Sequence, residues 1–90
     1  MRIGIIGRQP ALLQRAQHTV TARGHEAHPT VYDEDALALI RSRRIDALVI
    51  GGRVEAASRV LLLAACAEHG VRPEEVFGPD KLQQALDSLA

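Results

Sequence analysis

Ile45 to Gly52, reading Ile-Asp-Ala-Leu-Val-Ile-Gly-Gly, is a short apolar run that stops on two glycines. From Ala47 onward it has no polar alternation, the pattern of a strand covered on both faces. Such a strand belongs in the middle of a parallel sheet with helices packed on either side. Ninety residues suit one unit of this kind and leave no second core, so residues 1–90 are read as a single domain. A chain this small buries roughly 60 to 68% of its extended surface on folding, which makes covering a further surface by oligomerisation physically attractive.

The remaining segments fit the same plan. Arg2 to Ile6 is a β-branched run ending at Gly7, and Pro10 stands where a first helical residue loses nothing by lacking its N–H. A helix through Arg23 follows, with Leu12, Leu13, Ala16 and Val20 on one face and Gly24 as its stop. His25 to Tyr32 is a weaker strand whose Pro29 assigns it to an edge. Asp33, Glu34 and Asp35 supply a cap and favourable charge for a helix to about Arg43, with Ala36, Leu37 and Ile40 inward. The third strand, Asp46 to Ile50, leads to a helix from Val54 to His69 closed by Gly70. A last strand is centred on Glu75 to Phe77, and Gly78-Pro79 opens a helix whose Leu82, Ala85, Leu86 and Leu89 recur at helical spacing.

The order βαβαβαβα with right-handed crossovers gives an α/β fold of flavodoxin-like or receiver-like type. Four parallel strands are expected in the order 2-1-3-4, with helices on both faces.

Charge and composition exclude several functions. Eleven basic and eleven acidic residues cancel, so no general attraction to nucleic acid or to an anionic membrane is expected. Tyr32 and Phe77 are the only aromatics, too few for base stacking. The lone Cys66 allows no internal disulfide, no apolar stretch reaches membrane-spanning length, and the first residues do not read as an export signal; the cytoplasm is the expected compartment.

Three strand-to-helix turns fall on the carboxyl edge of the sheet: Gly7-Arg8-Gln9, Gly51-Gly52-Arg53 and Gly78-Pro79. The first two flank the point where the strand order reverses, the usual ligand crevice of this fold class. Backbone amides there, with Arg8 and Arg53, offer a site for a small anion such as a phosphate. The plainer alternative is that the glycines serve tight turns alone. A dinucleotide fingerprint fails, because the second and third glycine positions counted from Gly7 are Gln9 and Leu12, and Asp33 reads as a helix cap instead of a ribose ligand. No metal or cofactor is expected: His18, His25, His28 and His69 are scattered and one cysteine makes no cluster. Cys66 and Ser58 lie inside a helix without a base beside them, so the chain leans away from an enzyme.

Arg2-Ile-Gly-Ile-Ile-Gly, Arg23-Gly-His, Asp33-Glu-Asp-Ala-Leu-Ala-Leu-Ile and Ile45-Asp-Ala-Leu-Val-Ile together resemble the first half, about residues 1–50, of a CheY-like response-regulator receiver domain. That resemblance implies a regulatory domain of bacterial type, but a shortened and degenerate one, a pseudo-receiver. The family's phosphoacceptor Asp would stand where the third strand ends in Gly51-Gly52, and its metal-binding acids where Gly7-Arg8-Gln9 stands. Without those carboxylates there is neither nucleophile nor oxygen cage for Mg²⁺.

The third helix carries more apolar surface than one core stripe needs. Ala57, Val60, Leu61 and Ala64 are read as its inward side, with Arg59, Leu62, Leu63 and Cys66 on a second side. That second side is either buried deeper in the same chain or is an interface with a protein partner, a second copy in the first instance. A non-enzymatic, self-associating regulatory or interaction domain is thus the leading expectation, and a small-anion binding module the alternative.

Overall fold

The computed structural model describes residues 1–89. Its elements are β1 (Arg2–Ile6), α1 (Pro10–Ala22), β2 (Glu26–Thr30), α2 (Asp33–Arg41), β3 (Ala47–Gly51), α3 (Ala56–His69), β4 (Arg72–Val76) and α4 (Pro79–Leu89). The four strands are parallel and lie in the order β2-β1-β3-β4. The fold is therefore the α/β arrangement expected from the strand and helix rhythm.

Period-two alternation divides the sheet between two cores. Leu48 and Ile50 of β3 join Ile6, Ile40, Leu62 and Cys66 under α2 and α3. Ala47 and Val49 join Ile3, Ile5, Val20 and Leu86 under α1 and α4. Because both faces of β1 and β3 are covered, Ile3, Ile6, Leu48 and Ile50 have no solvent exposure. Both edge strands carry proline, with Pro29 of β2 opposite Ile5 and Pro73 of β4 opposite Leu48. Proline on an outer strand removes a donor that another sheet would need, which blunts both edges.

Several boundaries differ from expectation. β4 begins at Arg72, three residues earlier than its expected centre, because at an edge Pro73 obstructs nothing. Helix α2 ends at Arg41, and Arg43 turns the chain with φ of 56°, a left-handed conformation taken without glycine. Asp46 precedes β3 instead of starting it, and its carboxylate accepts the Arg2 amide at 2.8 Å and the Arg2 guanidinium at 3.0 Å. Tyr32, not Asp33, is the N-cap of α2, while Asp33, Glu34 and Asp35 fill the first turn.

The orientation of α3 is the main correction. Leu62 and Cys66 are fully buried, Leu63 packs partly buried against the same core, and the Arg59 side chain is only 14% exposed. These four residues do not form a free surface. Val60 and Leu61, expected inside, are 66% and 59% exposed. The run from Val60 to Cys66 is apolar all round, so periodicity cannot choose a face. The polar residues choose it. Ser58 donates to the Asp33 carboxylate, and Arg59 reaches Glu75 at 3.0 Å and the Gly51 carbonyl at 2.8 Å while lying 5.0 Å over the Phe77 ring. Those partners turn Leu62 and Cys66 inward. Burial pushes the Cys66 thiol up to about 11, so it behaves as a small apolar residue.

Candidate anion-binding crevice

A cavity of about 220 Å³ opens at the carboxyl edge on the α1–α4 side of the sheet. It lies where β1 and β3 send their following helices to opposite faces. Val49, Val76, Leu13 and Leu82 give it an apolar floor, and Gly7, Gln9, Gly51, Gly52 and Gly78 form the lip. The turns singled out in the sequence thus meet at one crevice.

The backbone explains part of the glycine content. A Cβ on Gly51 would stand 3.2 Å from the Ile6 carbonyl oxygen, closer than ordinary packing allows. Gly52 lies against the Phe77 ring. The Gly7 amide donates to the Thr30 carbonyl at 3.2 Å and is spent on extending the pairing with β2. The Gly7 amide is therefore no free ligand donor, and Gly51 and Gly52 serve close backbone and ring approach.

Two guanidiniums give the crevice its charge. Arg53 lines it, as does Arg15 from the second turn of α1. Among the described residues neither guanidinium has an ion pair or a side-chain hydrogen bond, whereas Arg2, Arg8, Arg23, Arg59 and Arg72 are all engaged with carboxylates. Helix α1 starts beside them without a side-chain cap: Gln9 is the N-cap, Pro10 is N1, and the first intrahelical bond runs from the Leu13 amide to the Gln9 carbonyl at 3.0 Å. The Ala11 and Leu12 amides precede that bond and carry the positive end of the helix dipole.

Arg8 does not join the crevice. Its guanidinium turns to the α2–α3 side and meets Asp33 at 2.6 Å, Glu55 at 2.9 and 3.1 Å and the Val31 carbonyl at 2.6 Å. Two carboxylates in the first turn of α2 and at the N-cap of α3 offer a bidentate partner that an approaching anion would have to displace. The Ser58 hydroxyl and then Arg8 hold the Asp33 carboxyl below the usual range, and Arg8 does the same to Glu55. The expected pairing of Arg8 with Arg53 is therefore replaced by Arg15 with Arg53. Arg15 carried no motif; its one signal was its place a turn beyond the Gly7 loop on the same helix. The Arg8–Asp33–Glu55–Ser58 cluster joins residues 25 to 50 positions apart, and no local pattern announces it. Among the described residues no three His, Cys, Asp or Glu side chains come together in a way that could hold a metal ion. No helix is long and apolar enough to cross a membrane.

No protein-family model matches the chain, and no curated protein matches it either. Solved structures do. A de novo designed Rossmann 2x3 fold protein superposes with a TM-score of 0.72 over 98% of this chain and 70% of its own, at 7% identity. A phosphate-loop protein superposes with a TM-score of 0.66 over 98% of this chain and 88% of its own, at 22% identity. The chain has a Rossmann-like α/β fold. At these identities the likeness concerns architecture, and function rests on the site itself.

Proposed function

We propose that this chain is a non-enzymatic binding module that takes a small anionic molecule, of phosphate or nucleotide type, at the carboxyl-edge crevice. One observation carries the reading: Arg15 and Arg53, both without a carboxylate partner among the described residues, border one apolar-floored cavity beside the uncapped start of α1. A paired surface arginine has its charge answered within the chain. An unpaired one over a concave apolar surface is available for a ligand. The superposition with a phosphate-loop protein adds support of fold alone, without transferring that protein's ligand. The cavity's volume suits a ligand seated through its anionic group, smaller than a whole dinucleotide.

Thermal shift or calorimetry with inorganic phosphate, sugar phosphates and mononucleotides tests this. A ligand at a hundred times its Kd adds about 2.7 kcal/mol to native stability. That gain is expected to vanish in the Arg15→Ala/Arg53→Ala double variant and to survive in Arg8→Ala. No stabilisation at millimolar ligand, or a gain indifferent to both arginines, overturns the reading.

The receiver resemblance supports a regulatory role for such a module without phosphorylation, because β3 ends in Gly51 and the β1–α1 loop offers Arg8 where acids would be needed. Acetyl phosphate with Mg²⁺ is accordingly expected to leave the intact mass unchanged, and an adduct of one phosphoryl group would refute it.

A further inference from the structure

Helices α2 and α3 lie side by side on the face opposite the crevice. Each joins the carboxyl end of one parallel strand to the amino end of the next, so they point the same way. Their outward sides differ in kind. On α2, Glu34, Ala38 and Arg41 recur at i, i+4 and i+7 and all are exposed. On α3, Ala57, Val60, Leu61, Ala64 and Ala67 are exposed and apolar, with Val60 and Leu61 the two large side chains. Neither Glu34 nor Arg41 has an ion-pair partner among the described residues.

We infer that this face binds a second copy of the chain about a two-fold axis crossing both helices, with α2 on α2 and α3 on α3, each pair antiparallel. The charges select this arrangement. In the antiparallel pair, Glu34 of one copy faces Arg41 of the other, and the converse contact repeats across the axis with the small Ala38 between them. A parallel pairing would set Glu34 on Glu34 and Arg41 on Arg41, which is repulsive. The same rotation lays Val60 of one copy over Ala64 of the other and Ala57 over Ala67, so small residues stand in every pair of that row and the helices can approach closely. The same residue set answers itself in both charge and shape, which is what an isologous interface requires. Association through the sheet edges is opposed by Pro29 and Pro73, which leaves pairing to a helical face. Since the crevice lies on the other side of the sheet, both copies keep it open.

Light scattering and sedimentation of the full chain from about 1 to 500 µM test the inference, the range spanning ordinary weak dimer affinities. A dimer is expected within that range. Val60→Glu, at an exposed position that folding does not need, is expected to leave a monomer at ten-fold higher concentration with unchanged circular dichroism. Glu34→Arg and Arg41→Glu alone are each expected to weaken association about ten-fold, and the double variant Glu34→Arg/Arg41→Glu to restore it, because the exchange rebuilds both contacts with signs inverted. A wild-type chain that stays monomeric at 500 µM overturns the inference. So does a dimer unaffected by Val60→Glu, which would use another surface, or a double variant no better than the singles, which would remove the antiparallel register.

Discussion

Arg8 and Arg53 follow equivalent turns after β1 and β3, a few residues from the same sheet edge, yet they have opposite fates. Arg8 is bound by two carboxylates and a backbone carbonyl and is 23% exposed. Arg53 has no such partner and borders a cavity. The difference lies in which side of the sheet each turn serves. On the α2–α3 side Asp33 stands in the first turn of α2 and Glu55 at the N-cap of α3, so a cation arriving there is consumed in holding three loops together. On the α1–α4 side no acid occupies the first turn of α1, and Asp80 in the first turn of α4 makes no ion pair with Arg15 or Arg53 among the described residues, so those two guanidiniums are left unpaired. One edge of one sheet thus contains a closed ionic clasp and an open cationic lip.

The two are separable by substitution, and the largest expected effect falls where they meet. Gly51→Val forces a branched side chain toward the Ile6 carbonyl, 3.2 Å from the Cβ position, and narrows the lip of the crevice. Overpacking of this kind costs about 1–3 kcal/mol, a loss of about 4–8 °C in Tm per kcal/mol for a domain of this size. Denaturant titration and thermal unfolding measure it; an unchanged Tm would mean that the strands part freely there and that the two sides are not coupled through Gly51.

Next in size is Arg8→Ala. It removes one of the two donors to the Asp33 carboxylate, leaving Ser58, and the guanidinium donor to the Val31 carbonyl, at a cost of about 1–2 kcal/mol once solvent screening of these partly exposed groups is allowed for. Ligand response at the crevice is expected to stay intact. If phosphate or nucleotide binding falls together with stability, the clasp and the lip are one site.

The fold was legible because its signals are local. The unbroken apolar β3 and the proline in β2 name a central and an edge strand directly, and right-handed crossovers reduce the strand orders to a handful that includes the one observed. The glycine turns were legible for the same reason, since a switch point puts them on one crevice. What was not legible depends on distant partners. Nothing near Arg8 in sequence says that Glu55, 47 residues on, will be within reach. Nor does the all-apolar stretch of α3 say which side faces inward; Ser58 and Arg59 settle that through Asp33 and Glu75, which lie on other elements. Pattern reading assigns faces only where polarity alternates.

A smaller effect is expected from acid. Asp33 and Glu55 have folded-state pKa values below their ordinary ones, so the unfolded chain binds protons more readily. The clasp's contribution is therefore complete above the ordinary carboxylate range of about 4, and it declines as pH falls through the lower folded-state values. Unfolding measured from pH 7 to pH 2.5 is expected to steepen below about pH 4, and to steepen less in Arg8→Ala, which keeps the Ser58 donor to Asp33 but lacks the cation that both carboxylates share. Parallel curves for the two proteins would show that Arg8 does not hold these carboxylates ionised.

The smallest change in stability belongs to the lip. Arg53→Ala removes a side chain with no intramolecular partner among the described residues, so Tm without ligand is expected to move by no more than about 0.5 kcal/mol's worth. A slight gain is also compatible with relief of the unanswered charge between Arg53 and Arg15. The informative quantity is the ratio of two losses: Arg53→Ala is expected to leave folding alone and abolish ligand-induced stabilisation, and Arg8→Ala to do the reverse. A substantial loss of stability in Arg53→Ala would mean that this guanidinium supports the fold after all, and the contrast between clasp and lip would collapse into two structural arginines.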